Sequence, residues 1–230
     1  MQDTAIKPTE ASLATDRLRE EIVSGAVSPG QKLKLVPLAR RYAVSRGPLR
    51  EAASRLAAEG LVTIEDQRGF RVTPVSREDL LDVTATRERI EELAVRDALA
   101  HGDLDWEGRV LAAWHVLDRV TEHDGSDAAR ALFAQQHEAF HAELVSACPS
   151  TYLLEFRARL YALSERYRNL AAERYQVGAE GRDVRQEHKE LAEAAVARDV
   201  PATVERLTEH LRSTQETLFA AYPELFAEEP

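Results

Sequence analysis

The sequence predicts a mainly α-helical protein in two parts, a small N-terminal part with a β-hairpin and a larger C-terminal antiparallel helical bundle. Three observations support this expectation. The chain is rich in helix-favouring residues, with only 10 Gly and 9 Pro among 230 residues. Strand-like runs occur only before residue 75, and helical periodicity of apolar residues covers the rest. Basic side chains also concentrate in the first part, so the two parts differ in chemistry.

The charge balance changes near residue 75. Residues 1–75 carry 12 Lys and Arg against 9 Asp and Glu, a balance of +3, and the remaining residues carry 18 against 31, a balance of −13. The run 30–50 holds six basic residues and no acidic one. Such asymmetry indicates a polyanionic partner for the first part. We expect domains at 11–75 and 76–223, with tails at 1–10 and 224–230.

Composition also predicts the cellular compartment of the protein. No run of about 18 apolar residues is present, which argues against a membrane span. The first ten residues lack the apolar stretch of a signal peptide. Cys148 is the single cysteine, so no internal disulfide is expected, as suits a reducing compartment. We therefore expect a cytoplasmic protein with no membrane partner.

The N-terminal elements are predicted in the order helix, strand, helix, helix. Apolar spacing predicts a first helix over 12–24 and then a short strand at 32–35. Pro37 fits the first turn of a second, short helix, where its missing N–H costs little. After a tight turn, Ser45 is a favourable N-cap for a third helix that ends at Gly60.

A β-hairpin over 61–74 completes this part, because the runs LVTIE and FRVTP flank the turn DQRG. Helices, tight turn and hairpin in this order are typical of a winged helix-turn-helix. Arg46 and Arg50 lie one turn apart at the start of the third helix, where a recognition helix contacts bases, and arginine suits guanine. Phosphate or wing contacts with DNA are predicted for the remaining candidates: Ser45, Lys32, Lys34, Arg40, Arg41, Arg68 and Gly69.

The run LARRYAVSRGPLREAASRLAAEGLV at 38–62 resembles the DNA-binding segment of GntR-family transcription regulators. Its specific core, S-R-x-P-[LV]-R-E, is matched by residues 45–51, and the resemblance covers about 60 residues. Gly47 departs from the polar residue that many relatives carry. The resemblance implies a regulator of transcription that binds a double-stranded DNA operator, most often as a repressor.

From residue 77 onward, helical periodicity alone is visible. It predicts six helices at 77–101, 105–122, 127–148, 151–176, 182–198 and 201–220. Breaks are expected at HGD, HDGS, CPS, VGAEG and RDVP. Six helices after such a winged helix resemble the effector-binding domain, of the FCD type, in the FadR branch of the family. The run TRERIEELAVRDAL resembles the first helix of that domain, with Arg87 and Glu91 in the expected places. The branch usually forms homodimers.

Four of the seven histidines lie on apolar helix faces. His137 and His141 share a face with Phe133 and Leu144, and His188 and His210 occupy similar positions on two later helices. Imidazoles facing a core are costly unless they find a partner, and a divalent metal is a plausible common partner. The other three are expected to be surface or packing residues: His101, His115 and His123.

Metal-containing members of the branch show D-x-x-x-H on one helix and a histidine on each of two later helices. By this resemblance His141, His188 and His210 are metal ligands, and His137 stands at the Asp position. Histidine there removes one negative charge and favours nitrogen-preferring metals. Zinc is expected first, with nickel or another first-row metal as the alternative.

Effectors in this branch are often small carboxylates, and a metal with an open position would supply the positive charge that an anion needs. Arg159 and Arg166 lie on one stripe of helix 151–176 among apolar side chains, where they could clamp a carboxylate. Salt bridges to glutamates are the alternative for this pair. Arg87 is the third predicted effector contact. A metal-responsive regulator, in which the ion is the signal, is the alternative function.

Residues 137–141, HEAFH, also fit the H-E-x-x-H pattern of zinc peptidases. The metzincin extension fails, since Leu144 and Ala147 stand where glycine and a third histidine are needed. Glu138 lies off the stripe of the two histidines, and no strand-rich substrate cleft is predicted. We therefore expect no enzyme, with a zinc peptidase as a remote alternative.

Overall fold

The computed structural model describes residues 8–120, 126–170, 182–223 and 226. The chain divides into two compact units, Met1–Ser76 with Glu165–Leu170, and Arg77–Ser164 with Ala171–Pro230. Several predictions lie outside the described residues: His123, the break at 177–181, the end of the helix predicted at 151–176 and most of both tails.

The first unit joins short helices to a small sheet. Its elements are α1 (Glu10–Val23), β1 (Lys32–Leu33), α2 (Leu35–Tyr42), α3 (Arg46–Glu59), β2 (Val62–Glu65) and β3 (Gly69–Val72). The strands form one antiparallel sheet in the order β1-β3-β2. This arrangement confirms the predicted winged helix-turn-helix, with β2 and β3 as the wing.

Local chemistry explains where these elements begin and end. The Thr9 hydroxyl accepts a hydrogen bond from the backbone N–H of Ser12 at 3.1 Å and so caps α1. Gly60 ends α3 with φ +87°, a left-handed conformation that glycine adopts without a Cβ clash. Ala43 makes the turn between α2 and α3 with φ +55°, at greater cost because it carries a Cβ. Helices α1 and α3 pack against each other and contribute fully buried side chains to the core: Leu18, Ile22, Leu49, Ala52 and Leu56.

The second unit is an antiparallel helical bundle. Its helices are α4 (Arg77–His101), α5 (Leu104–Arg119), α6 (Asp127–Val145), α7 (Thr151–Leu170), α8 (Val184–Val196) and α9 (Val200–Ala221). The last six residues of α7 belong to the first unit. Aspartates cap three of these helices, as the Asp103, Asp183 and Asp199 side chains each accept a bond from a first-turn N–H.

The core of the bundle lies between α4, α5, α6, α8 and α9. Trp106 is its largest fully buried side chain, and its indole N–H donates to the Glu143 carbonyl at 2.9 Å. Arg198 donates to the carbonyls of Leu99 at 2.7 Å and Gly102 at 2.9 Å. It thereby supplies hydrogen-bond donors to carbonyl groups at the C-terminal end of α4, where partners within the helix are missing. No described helix is long and apolar enough to cross a bilayer.

Candidate functional site

The start of α3 presents an exposed polar surface. Ser45 precedes the helix in an extended conformation, and its hydroxyl makes no capping bond. Arg46 and Arg50 follow on the same face, both exposed. The guanidinium of Arg50 lies 5.9 Å from the centre of the Phe70 ring in the wing. The two arginines are therefore placed as a recognition helix requires.

The first unit carries other exposed basic residues. Within the described chain, Lys32, Lys34, Arg40 and Arg68 are exposed and form no ion pair with an acidic side chain. Arg41 differs, because it pairs with Glu21 and lies against the Tyr42 ring. Gly69 adopts φ +99° at the wing tip, next to Arg68. Exposed cations without an acidic partner suit contact with phosphates.

The four predicted ligand histidines come together in the second unit. His137 and His141 lie one turn apart on α6, His188 lies on α8 and His210 lies on α9. All four are buried, and ligand-capable nitrogens of the four rings lie within 4.8 Å of one another. Neighbouring ring centres are as close as 4.5 Å for His137 and His141 and 4.7 Å for His188 and His210. We call these residues the histidine cluster.

The cluster fits a metal by two observations. Neither ring nitrogen of buried His141 has a hydrogen-bond partner among the described residues, and an unsatisfied buried polar atom costs about 1–3 kcal/mol. The nitrogens also lie within 4.8 Å of one another, and around one tetrahedral ion with metal–nitrogen bonds of about 2.1 Å they would lie about 3.4 Å apart. A small inward movement of the rings would therefore satisfy metal and imidazoles together.

Glu187 orients one member of the cluster. Its carboxylate lies 2.8 Å from Nδ1 of His210 and accepts two bonds from Arg182 at 2.6 Å. Arg182 also lies 3.3 Å from the same nitrogen, but a carboxylate is the better partner, so Nδ1 carries the proton and Nε2 is left to bind a metal. Burial alone would raise the pKa of Glu187; the bonds from His210 and Arg182 outweigh it and lower that pKa to about 2.

Tyr161 of α7 contacts another member. Its hydroxyl lies 2.9 Å from Nδ1 of His137, which again leaves Nε2 for a metal. Burial lowers the pKa of His141 well below 6.5, and the nearby charges of Arg87 and Arg157 add to this effect. Burial also lowers the pKa of His210, although Glu187 opposes the shift. Both rings are therefore held neutral, as metal ligation requires.

A pair of buried arginines lies beside the cluster. Arg87 of α4 and Arg157 of α7 donate through Nε to the buried Glu91 carboxylate, each at 3.1 Å. Arg87 also donates to the Ser164 hydroxyl at 2.8 Å. The Nη2 atoms of both arginines are buried and lack an acceptor among the described residues. Two cations thus face one anion, with two donors available to an incoming ligand.

The other two predicted effector contacts, Arg159 and Arg166, differ in burial. Arg159 is exposed on α7. Arg166 is fully buried in the first unit, where it donates to the Thr73 carbonyl at 2.9 Å. Sequence reasoning did not select Arg157 and Tyr161, which lie one turn apart on α7 and contact Glu91 and His137 respectively. A polar i, i+4 pair in a helix was the available signal.

The remaining histidine and glutamate predictions concern the surface. His101 is exposed, with Nδ1 lying 2.8 Å from the Asp97 carbonyl, and His115 is exposed on α5. Glu138, the glutamate of the peptidase-like pattern, is exposed although both flanking histidines are buried. A general base must reach a water at the metal, so this glutamate does not form a peptidase site.

A basic winged helix and a helical unit with a buried polar centre define the class of DNA-binding transcription regulators. The chain belongs to the GntR family. Residues 11–72 match the family described as bacterial regulatory proteins of the gntR family, and residues 82–213 match the FCD domain. Its relatives are regulators of transcription and not enzymes.

Two relatives cover most of the chain. The HTH-type transcriptional repressor GlaR of Escherichia coli K12 is 38% identical over 195 residues, which are 84% of this chain and 89% of GlaR. The uncharacterized regulator BphR of Paraburkholderia xenovorans LB400 is 40% identical over 201 residues, 86% of this chain and 80% of BphR. The solved structure of E. coli McbR/YncC has the same fold, with a TM-score of 0.80, 19% identity and coverage of 94% of this chain and 100% of that one.

Proposed function

We propose that the protein is a repressor of the FadR branch, which acts as a cytoplasmic homodimer and releases or rebinds its DNA operator in response to a small carboxylate. The carboxylate binds beside a divalent metal, zinc first, held by the histidine cluster. The observation that carries this proposal is the pairing of an unsatisfied buried imidazole, His141, with two buried guanidinium groups. FCD domains often bind a metal, which agrees with the cluster.

The donor set supports a nitrogen-preferring metal. Four imidazoles from His137, His141, His188 and His210 are neutral ligands, and imidazole suits zinc, copper, nickel and iron better than magnesium or calcium. The bound ion therefore keeps its full double positive charge. That charge would attract an anion into a unit whose sequence is otherwise strongly acidic.

The arginine pair supports a carboxylate as the second ligand. Arg87 and Arg157 share a single counter-ion, Glu91, and one excess positive charge is left. Desolvation of that charge is costly unless an anion accompanies it. Guanidinium Nη atoms match a carboxylate well, and both Nη2 atoms are unsatisfied among the described residues.

A metal-responsive regulator is the second candidate. The observation in its favour is the number of protein ligands, because four side chains complete a tetrahedral zinc shell, as in structural sites. In that case the ion would organise the bundle and no exogenous ligand would join it. DNA affinity would then follow the free metal concentration and would not respond to carboxylates.

Metal content tests the ligand assignment. The wild-type protein should retain about one metal per chain after dialysis, measured by elemental analysis. His141→Ala and His188→Ala should each lose most of it, because both remove a buried ligand. His115→Ala is the matched control, since this histidine is exposed on α5. Full occupancy in both ligand variants would show that the metal site is wrongly assigned.

Thermal shift tests the effector assignment. Acetate, succinate and citrate should be compared on metal-loaded protein, and at least one should raise the unfolding temperature. Arg157→Gln should remove that shift, whereas Arg159→Gln, an exposed arginine on the same helix, should keep it. No shift with any carboxylate, together with retained metal, would favour the metal-responsive candidate.

A further inference from the structure

Tyr161 connects the two halves of the proposed site. Its side chain is only 3% exposed, and its hydroxyl lies 2.9 Å from Nδ1 of His137. The guanidinium carbons of Arg87 and Arg157 lie 4.8 Å and 5.0 Å from the centre of its ring. One phenol therefore contacts a proposed metal ligand and both proposed anion-binding cations.

The direction of the Tyr161–His137 hydrogen bond depends on what His137 binds. A neutral imidazole has one proton, so a ring that binds a metal through Nε2 must carry that proton on Nδ1. The Tyr161 oxygen is then the acceptor. A metal-free ring can carry its proton on Nε2 instead, and the Tyr161 hydroxyl can then donate to Nδ1.

We infer that Tyr161 is an effector-binding residue whose hydroxyl is turned towards the anion by metal binding at His137. With metal bound, His137 donates to the phenol oxygen, and the O–H of Tyr161 donates to a carboxylate held by Arg87 and Arg157. The inference rests on the proposed function, since it requires both a metal at the cluster and a carboxylate beside it.

The side chains packed against the ring attract an anion to it. The two guanidinium groups against Tyr161 are donors in every state and cannot take its proton. Glu91 is held by the Nε atoms of both arginines at 3.1 Å. A carboxylate drawn in by the guanidinium groups brings new acceptor oxygens next to the phenol. Tyrosine then adds a third, directional donor to the site.

A regulatory order follows from this arrangement. The metal prepares the donor set before the effector arrives, so metal and carboxylate should bind with positive coupling. By reciprocity, the carboxylate should also slow loss of the metal to a chelator. The ion is then a required partner of the effector and is not itself the signal.

Calorimetric titration of succinate tests the inference, with Tyr161→Phe and the control Tyr152→Phe, which alters an exposed tyrosine on the same helix. At a saturating metal concentration, Tyr161→Phe should bind succinate roughly tenfold more weakly than the wild type. Tyr152→Phe should match the wild type. Acetate and citrate serve as further probes if succinate binds weakly.

Ultraviolet resonance Raman spectra test the hydrogen-bond direction without any anion. The difference between wild-type and Tyr161→Phe spectra isolates this one phenol, and its Fermi doublet distinguishes a donor from an acceptor. The doublet should change towards the acceptor pattern when metal is added. A doublet whose pattern is the same with and without metal would overturn the inference.

The outcomes separate the inference from the proposed function. Wild-type protein that holds metal and binds a carboxylate, together with a Tyr161→Phe variant that binds it equally well, overturns the inference alone. A Tyr161→Phe variant that binds less metal, but binds the carboxylate like the wild type once saturating metal restores its occupancy, also overturns it, because Tyr161 would then only position His137. Wild-type protein that holds no metal, or that binds none of the three carboxylates, overturns the proposed function itself.

Discussion

At the scale of single residues, the members of the histidine cluster differ in how their nitrogens are satisfied. Glu187 accepts from His210 and the Tyr161 hydroxyl lies against His137, so these two rings are oriented by the protein. His141 has no such support among the described residues. Its ring should therefore depend most on the metal, which makes it the most informative position for substitution.

The buried rings predict a dependence of stability on pH in the metal-free protein. Burial lowers the pKa of His141 and His210 in the folded chain, so as pH falls through about 6.5 the unfolded chain takes up these protons before the folded chain does. The free energy of unfolding should therefore fall as pH falls, by up to about 1.4 kcal/mol per pH unit for each ring. Denaturant titrations at pH 7.5, 6.5 and 5.5 measure this slope.

Two variants test whether the buried histidines cause this pH dependence. His141→Gln should flatten the slope, because one of the buried rings is gone, whereas His101→Gln replaces an exposed histidine and keeps both buried rings, so it is the control. Equal stability of the metal-free protein at pH 7.5 and 5.5 would contradict the account of neutral buried imidazoles.

The arginines illustrate what single residues in a sequence can and cannot predict. The histidines were identifiable because each lies on an apolar face of its helix. The same rule applied to α7 selected the stripe with Tyr152 and Arg159, yet both residues are exposed. The buried face of α7 carries Arg157 and Tyr161, and an interior that lines a polar site does not follow hydrophobic periodicity.

At the scale of elements, helix boundaries were predictable because local chemistry sets them. The predicted helix 77–101 coincides with α4, and the stop at Gly60 is a left-handed glycine. Capping aspartates at 103, 183 and 199 explain three other starts. The strand β1 was shorter than predicted, since only Lys32 and Leu33 pair with β3. Pairing with a distant strand is a tertiary effect that local sequence does not contain.

The recognition helix α3 gives a prediction about DNA specificity. Arg46→Ala and Arg50→Ala should each weaken binding to a selected duplex by about 1–3 kcal/mol and relax the base preference at one position. Arg55→Ala is the control on the same helix, because Arg55 pairs with Glu51. Competition between selected and scrambled duplexes measures the effect. If both variants keep the full preference for the selected duplex over the scrambled one, the assignment of α3 as the recognition helix is wrong.

Basic residues before α3 should act differently. Lys34→Ala removes an exposed cation of the predicted phosphate-binding surface. It should therefore lower the affinity of the protein for selected and scrambled duplexes equally. The slope of log affinity against log salt should decrease by about 0.9. A loss confined to the selected duplex would instead indicate a base contact at Lys34.

The turn between α2 and α3 gives a prediction about stability. Ala43 has φ +55°, a conformation that costs an L-residue roughly 1–2 kcal/mol. Ala43→Gly should relieve that strain. Glycine also has greater backbone entropy in the unfolded state, which offsets part of the gain, so the net stabilisation should be about 0.5–1 kcal/mol. Chemical denaturation measures the change. Destabilisation would mean that the alanine methyl contributes packing that outweighs the strain.

At the scale of the whole molecule, the charge asymmetry of the chain corresponds to two tasks. The first unit exposes several cations without an acidic partner among the described residues, which suits a phosphate backbone. The second unit belongs to a strongly acidic half, so an anionic effector needs a concentrated positive centre there. The histidine cluster with its metal, together with Arg87 and Arg157, would supply that centre.

The proposal that a carboxylate controls DNA binding through the metal site is tested most directly by one measurement. This is the affinity of the metal-loaded protein for a selected DNA duplex, titrated with acetate, succinate and citrate. At least one carboxylate should change the dissociation constant by about 5- to 150-fold. The change should vanish in metal-free protein, in His141→Ala and in Arg157→Gln. DNA affinity that follows the metal alone, or a carboxylate response that persists without metal, would contradict the account.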